Sequence, residues 1–152
     1  MKTAVISLTE KGRQLSEKLG GDRFCFRKHC DADAVPFTEL SALVSELFGR
    51  YDALIFICAV GIAVRAIAPH IVSKTTDPAV VAVDDCGKFA VSLLSGHIGG
   101  ANALAVQTAA KLGAVPVITT ATDSGEKFSP DVFAKANALV IDDMTAAREV
   151  AS

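Results

Sequence analysis

The sequence predicts an α/β fold, and two features carry that prediction. Short apolar segments rich in β-branched residues alternate with segments whose apolar residues recur at helical spacing, which is typical of strands and covering helices in one sheet. Between Asp84 and Phe89, by contrast, Asp85-Cys86-Gly87-Lys88 joins two apolar segments directly, which indicates a β-hairpin turned at the glycine. We therefore expect a mostly parallel sheet with helices on both faces and one antiparallel hairpin, a Rossmann-like three-layer arrangement.

The individual elements follow from these patterns in chain order. Strands are predicted where β-branched and other apolar residues cluster, at 3–8, 23–28, 53–58, 80–84, 89–94, 115–119 and 139–141. Helices are predicted at 10–19, 38–48, 61–68, 99–112 and 130–136, with a last one beginning at 145.

Residues that favour helix ends support three of these helices. Thr38 with Ser41 can cap the helix at 38–48, and Glu39 suits its positive end. Gly113 follows the helix at 99–112 as a helix-ending glycine does, and Pro130 lies where a first-turn proline is tolerated.

The length of 152 residues fits one α/β unit, 1–152. A second reading divides it into two subregions, 1–72 and 73–152, with a joint at 73–78. Because the last predicted helix is cut off at Ser152, we expect the chain to be an amino-terminal piece of a longer protein.

Charge and hydropathy exclude several classes of partner. A net charge of −2 and an isoelectric point of about 5.9 give no reason to expect nucleic acid or an anionic membrane. The longest apolar segment, 53–64, is too short to span a bilayer, and no secretory signal is visible, so we expect a cytoplasmic protein. Seven of the fifteen basic residues lie in the first 28 positions, where they form either a solvated face or a docking surface for an anionic ligand.

The four cysteines, Cys25, Cys30, Cys58 and Cys86, form no Cys-x-x-Cys pair, and we expect no disulfide. Cys25, His29 and Cys30 lie close together in the sequence, but three local ligands fall short of the usual four of a structural zinc site. We expect no metal.

The most informative segment is the glycine-rich turn from Ser95 to Asn102, between an apolar strand and a long helix. Its glycines Gly96, Gly99 and Gly100 allow a ligand to approach the backbone, and the helix start offers N–H groups to an anion. His97 lies in the same turn, and an imidazole side chain suits general acid or base chemistry. The spacing matches no nucleotide-binding motif, and the alternative is that the glycines only allow close packing of helix on strand.

Two further strand-end turns are candidates for the same site. At the first, Gly61 opens a helix and Arg65 can pair with a carboxylate, or else is a plain surface residue. At the second, residues 119–123 supply hydroxyls and a carboxylate, among them Thr120 and Asp123.

The hairpin and the strand after it contribute Asp84, Asp85, Lys88 and Ser95, which we expect to converge with His97 at the ligand crevice. Asp84 or Asp85 can orient His97 as a general base, although both are equally good turn formers.

Residues 60–123 as a whole resemble a known family. The matching segments are Gly-Ile-Ala-Val-Arg-Ala-Ile-Ala-Pro at 61–69, Lys74, Asp-Pro-Ala-Val-Val-Ala-Val-Asp at 77–84, Gly87, Val-Ser-Leu-Leu-Ser-Gly-His at 91–97 and Gly-Gly-Ala-Asn at 99–102. They are similar to the amino-terminal and central regions of the CbiG family, the cobalt-precorrin-5A hydrolases of anaerobic cobalamin biosynthesis. On this resemblance we expect the family's carboxyl-terminal domain to be missing from the chain.

The resemblance implies a hydrolase that opens a δ-lactone on a cobalt-bearing tetrapyrrole and releases acetaldehyde. No cofactor is expected, since the cobalt belongs to the substrate. Within that framework we expect His97, with Asp84 or Asp85, to be catalytic. The expected binding residues for the anionic substrate are Gly61, Arg65, Lys74, Ser95, Gly96, Gly99, Gly100, Asn102, Thr120 and Asp123.

Two other functions remain open at this point. The chain can be a non-catalytic tetrapyrrole-binding module that needs the missing domain, or a nucleotide-binding regulatory domain. The missing domain and a second copy of the chain are the candidate protein partners.

Overall fold

Seven strands and four α-helices follow one another in residues 1–120, the part of the chain that the computed structural model describes. The elements predicted at 130–136, at 139–141 and from 145 lie outside the described residues. The described elements are β1 (Thr3–Ser7), α1 (Glu10–Ser16), β2 (Asp22–Phe26), β3 (Val35–Phe37), α2 (Leu40–Leu47), β4 (Ala53–Ile57), α3 (Val60–Ile67), β5 (Ala79–Val83), β6 (Phe89–Leu94), α4 (Ala101–Leu112) and β7 (Val115–Val117), with 3-10 turns at Arg27–His29 and Ala68–His70.

The strands form one sheet in the order β3-β2-β1-β4-β5-β6-β7. Neighbouring strands are parallel at every position except β5 and β6, where Val83 pairs with Ala90 and Val80 with Leu94 in an antiparallel ladder. Gly87 turns this hairpin with a φ of 66°, a conformation that glycine adopts without strain. The predicted mostly parallel sheet with one antiparallel hairpin is confirmed.

Helices cover both faces of the sheet. Successive side chains of each strand point to opposite sides, so both faces present apolar residues to the helices. In β4, Leu54 and Phe56 pack with α2 and α3, whereas Ile55 and Ile57 pack on the side of α4 and the end of α1. All four side chains are buried, so the central strand is apolar on both faces. The three-layer prediction is confirmed.

Two local predictions were wrong. The strand β3 was not predicted, and it pairs with β2 around Pro36 at the outer position of the sheet. No side chain caps α2: Glu39 occupies the cap position, and the Ser41 hydroxyl donates to the Glu39 carboxylate at 2.7 Å. The helix-ending role of Gly113 is confirmed by its left-handed backbone, with a φ of 72°.

The expectation of no disulfide was also wrong. Cys25, at the buried end of β2, is bonded to Cys30, just after the 3-10 turn at Arg27–His29, and the two Cα atoms lie 5.1 Å apart. Cys58 and Cys86 are free thiols. The missing Cys-x-x-Cys spacing did not exclude a bond, because the turn at Arg27–His29 brings Cys30, five residues after Cys25, back beside it.

Candidate functional site

The direction of β6 divides the predicted site residues between two opposite rims of the sheet. We call the end at which β1, β4 and β5 finish, near Ser7, Ile57 and Val83, the carboxyl rim. Because β6 runs the other way, it ends at Leu94 beside Val80, at what we call the pocket rim. A strand rises about 3.3 Å per residue, so the two rims are roughly 15 Å apart. β7 runs parallel to β6, and its end therefore also faces the pocket rim.

Five predicted site residues lie together at the pocket rim. A surface pocket of about 210 Å³ is lined by Ile98 and by Lys74, Ser95, Gly96, His97 and Thr120. The end of β6, the end of β7 and the loop before β5 thus contribute to one concave surface. The roles of these residues in binding and catalysis stay predictions.

The turn from Ser95 to Ala101 is held by its own backbone. The Gly100 N–H donates to the His97 carbonyl at 3.1 Å, and the Ala101 N–H donates to the Ser95 carbonyl at 3.1 Å. Both N–H groups donate to carbonyls within the turn, so the predicted role of the Gly100 N–H as a donor to an anion was wrong. Donation to an anionic ligand at this turn therefore depends on the Gly99 N–H and on the side chains of the pocket.

Glycine is required twice in this turn for steric reasons. A Cβ at Gly99 would overlap the Cβ of Ser95 and lie 2.7 Å from its carbonyl oxygen. A Cβ at Gly96 would lie 2.8 Å from Oδ1 of Asn102. Close packing of this turn therefore requires both glycines, and their role in ligand binding stays a prediction.

Asn102 lies behind the pocket and joins three elements. Its Oδ1 accepts a hydrogen bond of 2.8 Å from the Ser92 hydroxyl in β6, and its Nδ2 donates one of 3.1 Å to Oγ1 of Thr120. The side-chain amide that we expected to bind substrate is thus engaged in fixing the pocket walls.

Asp77 bonds to two segments that line the pocket, and the sequence analysis did not single it out. Its carboxylate accepts hydrogen bonds from the Val72 and Ser73 N–H groups, and its carbonyl oxygen accepts one from the Ser95 hydroxyl. The segment 73–78 is therefore an ordered loop that carries Lys74. An Asp between two hydroxyl residues and a proline is a turn signal that could have indicated this.

Asp84 and Asp85 lie at the carboxyl rim, away from His97. Asp84 closes the hairpin by accepting hydrogen bonds from the N–H groups of Cys86, Lys88 and Phe89 at 3.1, 2.8 and 2.7 Å. Asp85 accepts one of 2.9 Å from the Thr9 hydroxyl. The expected convergence with His97 was wrong, because an antiparallel strand separates the hairpin from the histidine. Asp84 is a turn former instead.

Gly61 and Arg65 do not line the pocket. Gly61 lies in the first turn of α3, and a Cβ there would lie 3.7 Å from the Arg65 guanidinium. Arg65 borders an open groove of about 300 Å³ between α2 and α3, together with Leu40, Ser41, Ile62 and Ala66. Asp123 lies outside the described residues.

Two of the basic residues near the amino terminus form ion pairs with nearby carboxylates. Arg13 and Arg23 both donate to the Asp31 carboxylate, at 2.6 and 3.0 Å, and Arg13 also pairs with Glu10. The Arg13 hydrogen bond holds the pKa of the Asp31 carboxyl below its ordinary value. The docking-surface alternative does not fit these two arginines, because carboxylates of the chain already pair with their charges.

Residues 1–120 show neither a metal-binding cluster nor a membrane-spanning helix. In that part of the chain no group of three or more His, Cys, Asp and Glu side chains is arranged to hold a metal ion. As a disulfide, Cys25 and Cys30 cannot provide thiolate ligands. None of the helices described is both long enough and apolar enough to cross a bilayer.

Comparisons with known proteins agree with one another. A family model described as "Cobalamin synthesis G N-terminal" matches residues 42–123, more than half of the chain. A cobalt-precorrin-5A hydrolase from Salmonella typhimurium strain LT2 is 44% identical over 153 residues, covering 97% of this chain and 44% of that protein. A protein of the same name from Priestia megaterium is 40% identical over 143 residues, covering 87% of this chain and 38% of that protein.

A solved structure shares the fold of this chain. The crystal structure of a cobalamin biosynthesis protein G homolog from Sulfolobus solfataricus matches 99% of this chain with a TM-score of 0.61 and 24% identity, and this likeness shows a shared fold. The match covers 44% of that protein. The chain therefore spans less than half the length of the curated relatives and of this solved homologue.

Proposed function

The chain belongs to the family described as cobalamin synthesis G N-terminal, and from that premise we propose that it hydrolyses cobalt-precorrin-5A to cobalt-precorrin-5B with release of acetaldehyde. The observation that carries the proposal is the 44% identity to a named cobalt-precorrin-5A hydrolase over nearly the whole chain. We further propose that the activity is cytoplasmic and that the cobalt is bound by the tetrapyrrole, not by the protein.

The reaction has two parts, and each makes a demand on the protein. Water adds to the lactone carbonyl and the acyl C–O bond breaks, which leaves a carboxylate and an alkoxide. The alkoxide carbon then becomes the aldehyde carbon as its bond to the macrocycle breaks, and the macrocycle carbon takes a proton. The protein must activate the water, stabilise the oxyanion and supply that proton.

Groups near the pocket rim suit proton transfer, binding of a substrate carboxylate and stabilisation of the oxyanion. We assign His97 to proton transfer, because it lines the pocket and an imidazole can act as acid or base near neutral pH. Lys74, exposed on its loop, provides a cation for a substrate carboxylate. The Gly99 amide is the backbone candidate for the oxyanion. Asp84 and Asp85 lie at the other rim, so neither is assigned to orient His97.

The second candidate is a binding module that holds the tetrapyrrole without turning it over. The observation that favours it is the distance of Asp84 and Asp85 from His97, which removes the predicted orienting carboxylate from the pocket. On this reading the residues that carry out the reaction lie outside residues 1–120.

A single assay separates the two candidates. The chain is mixed with cobalt-precorrin-5A, and bound tetrapyrrole and released acetaldehyde are measured for the native chain, for His97→Gln and for His29→Gln, a control outside the pocket. Acetaldehyde release that His97→Gln abolishes and His29→Gln preserves supports the hydrolase. Binding without acetaldehyde supports the binding module, and absence of both overturns the two proposals.

A further inference from the structure

Asp77 is the one residue that contacts both the Lys74 loop and the His97 turn in the hydrogen bonds described above. It lies two residues before the start of β5 and is only 7% exposed. Its Oδ2 accepts hydrogen bonds from the Val72 and Ser73 N–H groups, each at 3.0 Å. Its backbone carbonyl accepts a hydrogen bond of 3.0 Å from the Ser95 hydroxyl.

The Lys74 side of this arrangement depends on the carboxylate. Lys74 lies in the loop between Val72 and Asp77, and both Val72 and Lys74 are exposed to solvent. The loop is closed by the Asp77 N–H, which donates to the Ser73 carbonyl at 2.8 Å, and by the two bonds to the carboxylate. Removing the carboxylate leaves the start of the loop without its buried anchor, so the position of Lys74 becomes variable.

The His97 side depends on the Asp77 carbonyl. Ser95 has a φ of 57°, which is uncommon for a residue other than glycine and has to be supported by its surroundings. The Ser95 hydroxyl is buried on the Asp77 carbonyl, and the Ser95 carbonyl accepts the first amide of α4. Ser95, two positions before His97, is therefore bonded to Asp77, which also anchors the Lys74 loop.

A buried carboxylate is costly unless its hydrogen bonds repay the loss of water, so its position requires a reason. We propose that Asp77 is a positioning residue: it holds the Lys74 ammonium at a fixed place opposite the Ser95–His97 turn and thereby sets the affinity of the pocket for a carboxylate of the ligand. Asp77 does not line the pocket and acts only through Lys74. The proposal deepens the proposed function and rests on it for the identity of the ligand.

The first test is a double-mutant cycle with cobalt-precorrin-5A and the full chain. We expect Asp77→Ala to weaken binding about tenfold in the native background and less than about twofold in a Lys74→Met background, because the lysine that it positions is then gone. Asp77→Asn should stay within about threefold of native affinity, since its amide oxygen can accept both N–H bonds. Equal losses in the two backgrounds, or no loss in either, overturn the proposal.

The second test needs no ligand and separates the two proposals. Amide hydrogen exchange at Val72 and Ser73 should accelerate at least about tenfold in Asp77→Ala and far less in Asp77→Asn, while Val81 in β5 stays protected in both. If the native chain does not bind cobalt-precorrin-5A, the proposed function fails, and this local loss of protection still supports Asp77 as the anchor of the Lys74 loop. Unchanged exchange at the two amides overturns it.

Discussion

The side-chain amide of Asn102 donates a hydrogen bond of 3.1 Å to Oγ1 of Thr120, which joins the first turn of α4 to the residues that follow β7. The same side chain accepts from Ser92 in β6 at 2.8 Å. Asn102, which the sequence analysis had expected to bind substrate, therefore links β6, the strand that leads into the Ser95–His97 turn, to Thr120.

Replacing Asn102 by Ala should weaken this support. The change removes two side-chain hydrogen bonds in a partly buried setting, for which we expect a loss of about 1–2 kcal/mol in the free energy of unfolding. Urea denaturation measures it, with Gln107→Ala, an exposed position of the same helix, as the control. Equal stability of the two variants would show that these bonds contribute nothing.

Gly99→Ala should be among the most damaging glycine substitutions in the chain. The added Cβ meets the Cβ and the carbonyl oxygen of Ser95, so the turn has to shift, and we expect a loss of at least about 2 kcal/mol. At Gly49 no atom lies within 4 Å of a Cβ, so Gly49→Ala should change stability by less than about 0.5 kcal/mol. Thermal unfolding of both variants gives the comparison, and similar melting temperatures would contradict it.

Acid should destabilise the chain partly through Asp31. Its carboxyl pKa is held below the ordinary value of 3.8, first by the hydrogen bond from Arg13, so the folded state binds this proton less readily than the unfolded state. The contribution is present above pH 4 and is lost as the pH falls through the lowered pKa.

The urea midpoint of Asp31→Asn should consequently fall less steeply below pH 4 than that of the native chain. Asp33→Asn makes the same chemical change two residues away and serves as the control. Superimposable pH profiles for native chain and Asp31→Asn would refute this contribution.

Thiol titration should distinguish the four cysteines. The unfolded chain should show two reactive thiols without reductant and four after reduction, because Cys25 and Cys30 are bonded. In the native chain at pH 8, exposed Cys86 should react with Ellman's reagent first, whereas burial raises the pKa of the Cys58 thiol to about 11 and slows its reaction. Cys86→Ser should remove the fast phase, and four thiols without reductant would exclude the disulfide.

The sequence was sufficient to predict the three layers of the fold but not every strand of the sheet. Val115-Pro116-Val117 was predicted as part of a strand because it follows a helix-ending glycine within a longer apolar segment. Val35-Pro36-Phe37 has nearly the same composition and was missed, because its strand conformation depends on pairing with β2, which local pattern does not reveal.

The candidate site was predicted in part for a similar reason. The glycine pattern identified the turn around His97, since close packing and strand-end geometry leave local signals. The placement of Asp84 and Asp85 beside His97 failed, although the hairpin itself was recognised. An antiparallel strand carries the chain away from its turn, so residues at the two ends of β6 cannot meet. Which amides a turn consumes internally, as at Gly100, is settled only by three-dimensional geometry.

The reversal of β6 also suits the chain to a surface-based test of the proposed ligand binding. Cys86 sits on the hairpin with its thiol accessible, at the rim opposite His97. A maleimide fluorophore, or a linker to a chip surface, attached there would leave the mouth of the pocket unobstructed. Ligand entry could then be followed on immobilised chain without labelling the ligand.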